Sequence, residues 1–144
     1  MAKRPESLFF DTNVFINLLR YPEYEARIES YLQVAYLFVV NKIVLMELWA
    51  GVQTVKEENI LKQYQKAFQM IGLSDDQFIK AGQVMHAMRK KYNFEPKGRR
   101  QLTWDILLAL SAEENNALIL TENEKDFSKI KKFVSFEYIS IADH

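Results

Sequence analysis

Four acidic side chains stand at positions where a charge is unexpected. Asp11 directly follows the apolar run 8–10, and Glu47 is the only charged residue in the segment 43–49. Asp105 shares a helical face with the apolar residues at 108, 109 and 112. The polar segment 121–127, which follows another apolar run, offers a fourth acid, for which Asp126 is the leading candidate. Helical spacing and strand ends therefore predict a group of inward-facing carboxylates.

Such a group needs a positive partner. Two carboxylates 4 Å apart repel each other by about 4 kcal/mol at an effective dielectric constant near 20, and burying an unpaired charge adds a further cost. The inferred inward faces carry no Lys or Arg, and neither histidine follows a strand. An oxygen-ligated divalent cation, Mg²⁺ or Mn²⁺, fits the group better than a protein cation does, and such ions serve phosphoryl chemistry. Taken alone, Asp11 is also typical of a helix cap, and Asp105 of a favourable interaction with the helix dipole.

Alternating strands and helices are predicted to position these acids. The apolar runs predict strands at 8–10, 37–40, 70–73, 117–120 and 134–141. Helical spacing predicts helices at 14–19, 24–34, 41–50, 55–68, 75–92, 103–115 and 123–129, with Asn41, Ser74 and Thr103 at helix starts. This alternation indicates the α/β class with a parallel sheet covered on both faces. Ligands bind such sheets at the carboxyl ends of the strands, where the acids fall.

Composition narrows the class of protein. The 144 residues suit one domain with a core over about 8–141, and 19 basic residues balance 19 acidic ones, so there is no bulk attraction to nucleic acid or membranes. The absence of cysteine excludes a disulfide scaffold, a thiolate metal site and a cysteine nucleophile, and suits a cytoplasmic protein. The longest apolar run, 34–40, is too short to cross a bilayer, and residues 1–7 lack the apolar stretch of a signal peptide.

Four motifs, in order along nearly the whole chain, resemble those of the PIN domain. This is a compact α/β ribonuclease fold, and the resemblance is strongest to the VapC-type toxins of VapBC toxin–antitoxin systems. The motifs are Phe9-Phe10-Asp11-Thr12-Asn13-Val14, Leu45-Met46-Glu47-Leu48 with Gly51, Thr103-Trp104-Asp105-Ile106-Leu107-Leu108-Ala109, and Leu120-Thr121 to Asp126-Phe127.

The resemblance implies a three-layer sandwich, with a central, mainly parallel sheet flanked by helices, and an acidic metal-binding pocket. By that resemblance the catalytic and metal-binding residues would be Asp11, Glu47, Asp105 and Asp126, and the polar residues of the pocket Thr12, Thr121 and Asn123. The fourth acid stays open. Relatives often carry an aspartate where this chain has Asn123, while others keep the Thr-x-Asn-x-x-Asp-Phe form found here, and Glu122 and Glu124 compete with Asp126.

The predicted activity is Mg²⁺-dependent (or Mn²⁺-dependent) endoribonuclease cleavage, in which one or two metal ions activate a water for attack on an RNA phosphodiester. No histidine base is then required, and His86, inside a long helical pattern, is predicted to be structural or on the surface. The RNA backbone needs positive groups, which are predicted at Arg89, Lys90, Lys91, Lys97, Arg99 and Arg100, in a polar loop and the helix end before it. Tyr92 and Phe94 are available there to stack on bases. A solvated helix end and turn explains the same basic window equally well.

The resemblance also implies partners: a structured RNA substrate such as tRNA or rRNA, a cognate VapB-type antitoxin that lays a peptide over the pocket, and a second copy in a homodimer. Three other functions stay open. A flap-endonuclease-like DNA nuclease shares the acidic pocket, but this chain is short for one. A phospho-acceptor receiver domain would want an acidic pair after the first strand, where Asp11 stands alone. A non-catalytic PIN-fold binding module would keep the fold without cleavage.

Overall fold

The computed structural model describes residues 7–33, 37–93 and 96–141, without the side chains of 96–99. The strands are β1 (Ser7–Phe10), β2 (Leu37–Asn41), β3 (Gln69–Ile71), β4 (Ala117–Thr121) and β5 (Glu137–Ser140). The helices are α1 (Thr12–Arg20), α2 (Tyr24–Leu32), α3 (Lys42–Ala50), α4 (Val55–Ala67), α5 (Asp75–Lys91), α6 (Pro96–Asn115) and α7 (Glu124–Ile130). The predicted alternation of strands and helices is confirmed over these ranges.

Strand β1 lies at the centre of a sheet with the order β3-β2-β1-β4-β5. Every neighbouring pair is parallel, and Leu8 pairs in register with Phe38 on one side and Leu118 on the other. All four residues of β1 are buried, as in a parallel sheet that helices cover on both faces. The α/β class and the flanked parallel sheet are therefore confirmed, and the short strand predicted at 70–73 is the edge strand β3.

The parallel sheet brings three chain segments to one edge. Because the strands run the same way, the carboxyl ends of β2, β1 and β4 are neighbours there. Asp11 follows β1, Asn41 ends β2 and Thr121 ends β4. Helices α1, α3 and α7 begin at or just after these residues. The candidate residues at 11, 47, 121, 123 and 126 are thus carried by strand ends and by the helices that follow them.

Side chains at the helix starts fix where the elements begin. Asp11, Asn41 and Thr54 each accept a hydrogen bond from a backbone N–H of the following first turn. Ser74 and Gln77 form a reciprocal capping box at the start of α5. The caps predicted at Asn41 and Ser74 are confirmed.

The start of α6 differs from the prediction. The helix begins at Pro96, seven residues before Thr103, so most of the expected polar loop is helical. Proline suits the first helical position because its fixed φ matches the helix and its missing N–H is not needed there. Thr103 lies inside the helix, and its hydroxyl contacts Met85 Sδ of α5 at 3.8 Å. Packing against α5 thus extends the helix through a segment whose polar residues indicated a loop.

Helix α6 supplies much of the core. Its buried face includes Leu102, Ile106, Ala109 and Leu110, each at most 1% exposed. Asn116, the first residue after the helix, has a φ of 49°, the left-handed conformation common at that position. Within the described ranges, none of the helices combines the length and the apolar character needed to cross a membrane.

Candidate active site

Asp11 is held at the junction between the sheet and α1. Its backbone N–H donates to the carbonyl of Leu120, which extends the β1–β4 pairing by one residue. Its Oδ1 accepts a 2.8 Å hydrogen bond from the N–H of Thr12, so Asp11 caps α1. The side chain is buried. Asp11 is therefore a helix cap, as its sequence context allowed, and also a buried carboxylate at the carboxyl end of the central strand.

Thr121 and Asn123 hold the carboxylates from the β4 side. The Thr121 hydroxyl donates to Asp11 Oδ2 at 2.8 Å and accepts from the N–H of Asn123 at 2.9 Å. The Asn123 side-chain amide then donates to Asp105 Oδ2 at 3.2 Å and to Asp126 Oδ2 at 3.0 Å. One hydrogen-bonded chain of neutral groups therefore connects three of the four predicted acids.

Asp105 reaches this edge from α6. Its side chain is 2% exposed. Gln101, one helical turn earlier, donates to Asp105 Oδ1 at 3.1 Å, while Asn123 donates to Oδ2. Burial, followed by the negative charge of Asp11, raises the pKa of Asp105 to about 8, and the charges of Asp126 and Glu47 act in the same direction. In the absence of a cation, Asp105 is therefore mostly protonated at neutral pH.

Glu47 completes one side of the cleft from α3. It lines a narrow cleft together with Asp11 and Asp105 and the apolar side chains of Val44 and Trp104. The free volume of this cleft is about 10 Å³, close to the smallest space that holds one water molecule. Burial, and then the charge of Asp11, raise the pKa of Glu47. The carboxylate predicted to face inward from α3 does so.

Asn41 fixes α3 relative to α6. Its Oδ1 accepts from the N–H of Ile43 at 2.8 Å, which caps α3. Its Nδ2 donates at 2.7 Å to the hydroxyl of Ser111, and Ser111 in turn donates to the carbonyl of Leu107. Both Asn41 and Ser111 are buried. The helices that carry Glu47 and Asp105 are thus tied to the same side chain at the end of β2.

The three acids that compete for the fourth position have different surroundings. Asp126 shares the amide of Asn123 with Asp105. Glu122 accepts hydrogen bonds from the Tyr24 hydroxyl at 2.7 Å and from Asn17 at 3.2 Å. Glu124 accepts from the hydroxyl of Tyr138 at 2.9 Å. Of the three, Asp126 alone shares a hydrogen-bond donor with Asp105, and the geometry therefore favours it.

The charge at this edge is unbalanced. Burial is also the first cause of the raised pKa of Asp11, which hydrogen bonds from Thr121 and Thr12 oppose and the charges of Glu122 and Asp126 reinforce. Among the described side chains, the ion pairs all lie elsewhere, and the four candidate acids take part in none of them. The hydrogen-bond donors to Asp11, Asp105 and Asp126 described above are neutral groups. The site therefore concentrates negative charge without a protein counter-ion in the described part of the chain.

The four candidate acids have the oxygen ligands that a hard divalent cation needs, but their side chains are not arranged around one ion position. In the ranges that the structure describes, no three His, Asp or Glu side chains are placed to hold one metal ion. The oxygens of Asp11 and Asp105 accept hydrogen bonds instead. The atoms available as metal ligands are nevertheless carboxylate oxygens, which Mg²⁺ and Mn²⁺ prefer. An ion would also replace the proton on Asp105, because metal ligands bind in their deprotonated form.

Comparison with known proteins decides the family. The PIN domain family matches residues 8–133. The chain belongs to the PIN domain family. No curated protein matches its sequence.

Solved structures share the fold of this PIN domain. A VapBC-1 structure from nontypeable Haemophilus influenzae is 16% identical with a TM-score of 0.69, over 94% of this chain and 98% of that one. VapBC2 from Rickettsia felis, bound to a promoter DNA fragment, is 21% identical with a TM-score of 0.67, over 93% and 98%. DNA-bound VapBC from Salmonella typhimurium is 17% identical with a TM-score of 0.67, over 94% and 98%. At these identities the likeness shows the fold.

The basic residues predicted to bind RNA divide into two groups. Arg89, Lys90 and Lys91 are exposed in the last turn of α5, and Arg100 is exposed on α6. The side chains of Lys97 and Arg99, like Phe94, lie outside the described part of the PIN domain. His86, predicted to be structural or on the surface, is exposed on α5.

Two residues that support the site were missed by the sequence analysis. Gln101 lies four residues before Asp105, a spacing that places side chains together on a helix. The signal was hidden because the helix was expected to start at Thr103. Asn41 was predicted as a cap, but its bond to Ser111 joins residues 70 positions apart. Nothing local in the sequence indicates that second contact.

Thr12, predicted in the pocket, lines the same cleft as Asp11.

Proposed function

We propose that this PIN domain is a divalent-metal-dependent endoribonuclease that hydrolyses RNA phosphodiester bonds, and that it is the toxin of a toxin–antitoxin pair. The observation that carries the proposal is the position of Asp105. Its buried carboxyl group lies in the field of Asp11, Asp126 and Glu47, and its hydrogen bonds come from neutral amides. Bringing these four carboxylates together in the folded protein is costly unless a bound cation balances their charge.

Each residue has a part in that chemistry. Asp11, Glu47, Asp105 and Asp126 would hold Mg²⁺ or Mn²⁺, which, when bound, lowers the pKa of a coordinated water and stabilises the charge on the leaving oxygen. Thr121 and Asn123 orient the carboxylates of Asp11 and Asp105 by hydrogen bonds. Partners of this kind fix the direction of metal ligands. The apolar walls of the cleft limit the entry of bulk water and strengthen the electrostatic interactions inside.

The first test is cleavage of RNA by the purified protein in Mg²⁺ or Mn²⁺, with EDTA as the metal-free arm. We expect Asp11→Asn and Asp105→Asn to lower the rate at least 100-fold, since each removes a charged metal ligand. Asp76→Asn, which changes an exposed acid in the first turn of α5, is the control and should cleave like the parent. Cleavage by both site variants at the parent rate would mean that this pocket is not catalytic.

Two alternatives are separated by the substrate. Oligonucleotides of one sequence, differing only in the 2′-hydroxyl, distinguish a ribonuclease from a flap-endonuclease-like DNA nuclease. We expect cleavage of the RNA strand, and equal cleavage of both strands would contradict the RNA assignment. Metal-independent RNA binding without any cleavage would instead support a PIN-fold binding module.

The partner follows from the same assignment. The structural neighbours named above are VapBC complexes, and we propose a VapB-type antitoxin as the partner of this chain, with a segment that covers the carboxylate cleft. A small DNA-binding protein encoded next to this gene should co-purify with it and suppress the RNA cleavage. We also propose a homodimer, which light scattering of the isolated toxin tests. A monomer at micromolar concentration would contradict it.

A further inference from the structure

Three lysines from two separate segments converge on one tyrosine at the end of α5. The ammonium nitrogens of Lys91, Lys129 and Lys132 lie 5.6, 5.1 and 6.0 Å from the ring centroid of Tyr92. Lys132 also donates a 3.3 Å hydrogen bond to the Tyr92 hydroxyl. We call these four residues the lysine–tyrosine cluster. The sequence analysis found only its α5 half, because Lys129 and Lys132 are some 40 positions away along the chain.

The lysine–tyrosine cluster has a positive local potential. Since each ammonium lies within about 6 Å of one point, no two are more than about 12 Å apart. Desolvation acts to raise the pKa of the Tyr92 phenol. The hydrogen bond from Lys132 and the charges of Lys132, Lys91 and Lys129 outweigh it, so this pKa is lowered. Among the described residues, Lys91 and Lys132 take part in no ion pair. An anion bound between them would relieve the mutual repulsion.

Two connections along the chain relate the lysine–tyrosine cluster to the carboxylate cleft. Lys129 comes three residues after Asp126 on α7, a spacing that places both side chains on one side of the helix, about 4.5 Å apart along its axis. Lys91 and Tyr92 end α5, which packs along α6 through the contact between Met85 and Thr103. Helix α6 carries Asp105. The cluster thus joins α7, which carries Asp126, to the end of α5, the helix that packs on α6.

A strand of nucleic acid matches this combination of charge and position. Its phosphates are anions repeated along a chain, and it must reach the carboxylates despite their negative charge. Three ammonium groups on the elements that carry or contact the acidic helices would offset that repulsion for phosphates that follow the cleaved bond. The Tyr92 ring attracts the ammonium groups of Lys91 and Lys129 by cation–π interaction, and the Tyr92 hydroxyl accepts a hydrogen bond from Lys132. The three charges are therefore arranged before the strand arrives.

We propose that the lysine–tyrosine cluster binds the phosphodiester backbone of the RNA substrate beside the cleavage site. The proposal rests on the proposed function, since it takes RNA as the substrate. Lys91, Lys129 and Lys132 neutralise phosphates, and Tyr92 is a positioning residue that keeps the lysines together.

The test measures binding in EDTA, where the proposed chemistry does not occur. The probe is a fluorescein-labelled 12-nucleotide oligouridylate, titrated at several KCl concentrations with the 144-residue protein. Each phosphate contact adds about 0.7 to the slope of log affinity against log salt for a single strand. The double variant Lys91→Gln/Lys132→Gln should therefore lower the slope by about 1.4. Lys56→Gln/Lys66→Gln removes two exposed charges on α4 and is the matched control, which should keep a slope closer to that of the parent.

Three results would overturn the assignment of the lysine–tyrosine cluster. The first is an unchanged salt slope in the Lys91/Lys132 variant. The second is a decrease of the slope in the α4 control as large as in that variant. The third is the absence of RNA binding by the parent at low salt. Displacement of the RNA by polyglutamate at equal charge concentration would show instead a surface for acidic proteins. Failure of the proposed function gives a different pattern: the parent would bind RNA through the cluster but would not cleave it when Mg²⁺ is added.

A second pair of variants examines the positioning role of Tyr92. Tyr92→Phe keeps the ring and loses only the hydroxyl that accepts from Lys132. Tyr92→Leu removes the ring and with it the cation–π attraction. We expect weaker RNA binding for Tyr92→Leu than for Tyr92→Phe at the same salt concentration. Equal binding by the two variants would contradict this role for the ring.

Discussion

The hydroxyl of Thr121, at the end of β4, donates a 2.8 Å hydrogen bond to Oδ2 of Asp11, at the end of β1. The two residues are 110 positions apart in the chain and adjacent in the sheet. Both are buried, and the hydroxyl accepts in turn from the N–H of Asn123. The direction of the Asp11 carboxylate is thus set by a neighbouring strand as well as by its own helix cap.

Replacing Thr121 by valine should impair metal binding. Valine has nearly the same shape but no hydroxyl, so Asp11 Oδ2 would lose its donor inside the protein. Removing a partner that orients a metal ligand typically costs about 10- to 100-fold in affinity or activity. We expect that loss in the Mn²⁺ affinity measured by calorimetry. Thr121→Ser, which keeps the hydroxyl, should retain most of the affinity, and similar losses in both variants would argue against the hydrogen bond as the cause.

The two functions of Asn123 can be separated by substitution. Its Oδ1 caps α7 by accepting from the N–H of Asp126, while its Nδ2 bridges Asp105 and Asp126. Serine can still cap a helix but cannot bridge the two carboxylates. We therefore expect Asn123→Ser to unfold at nearly the parent denaturant concentration yet cleave RNA at least 10-fold more slowly. Asn123→Ala should show the same rate loss and also lose about 1 kcal/mol of stability. Parent-like cleavage by Asn123→Ser would mean that the bridge has no catalytic role.

The fourth acid can be identified by three single amide substitutions. Asp126 shares a donor with Asp105, whereas Glu122 is bound by Tyr24 and Asn17, and Glu124 by Tyr138. Asp126→Asn should therefore reduce Mg²⁺-dependent cleavage at least 10-fold, since it removes a charged ligand. Glu124→Gln should have little effect. If Glu122→Gln or Glu124→Gln is the more damaging change, the role proposed for Asp126 is wrong.

Sequence patterns predict the elements well where apolar spacing or a capping residue dominates. Asn41 and Ser74 cap helices as predicted because a cap is a contact between near neighbours. Asp11 and Asp105 stand out because each is a single charge on an otherwise apolar strand or helix face. The start of α6 was predicted incorrectly because packing against α5 outweighs the loop tendency of the polar segment before Thr103. The bridge from Asn123 to Asp105 depends on how α6 and α7 pack, and a local pattern does not contain that information.

The raised pKa of Asp105 makes the stability of the metal-free protein depend on pH. Burial, and then the charge of Asp11, raise this pKa to about 8, whereas an aspartate in an unfolded chain has a pKa of about 3.9. The folded protein therefore holds a proton that the unfolded chain releases. The stabilising effect of that proton is complete below about pH 4, decreases as the pH rises, and is lost above about pH 8.

In EDTA, the free energy of unfolding should therefore fall between pH 5 and pH 7, by up to about 2.7 kcal/mol for one such group. Asp105→Asn carries no titrating proton at this position, so its decline should be shallower and its stability at pH 7 higher than that of the parent. Saturating Mg²⁺ should stabilise the parent more than the variant, because the ion replaces the proton on Asp105. Urea unfolding at pH 5, 6 and 7, with and without Mg²⁺, measures the decline with pH, the stability at pH 7 and the stabilisation by the ion. An equal decline in the parent and in Asp105→Asn would show that Asp105 does not retain its proton in the folded protein.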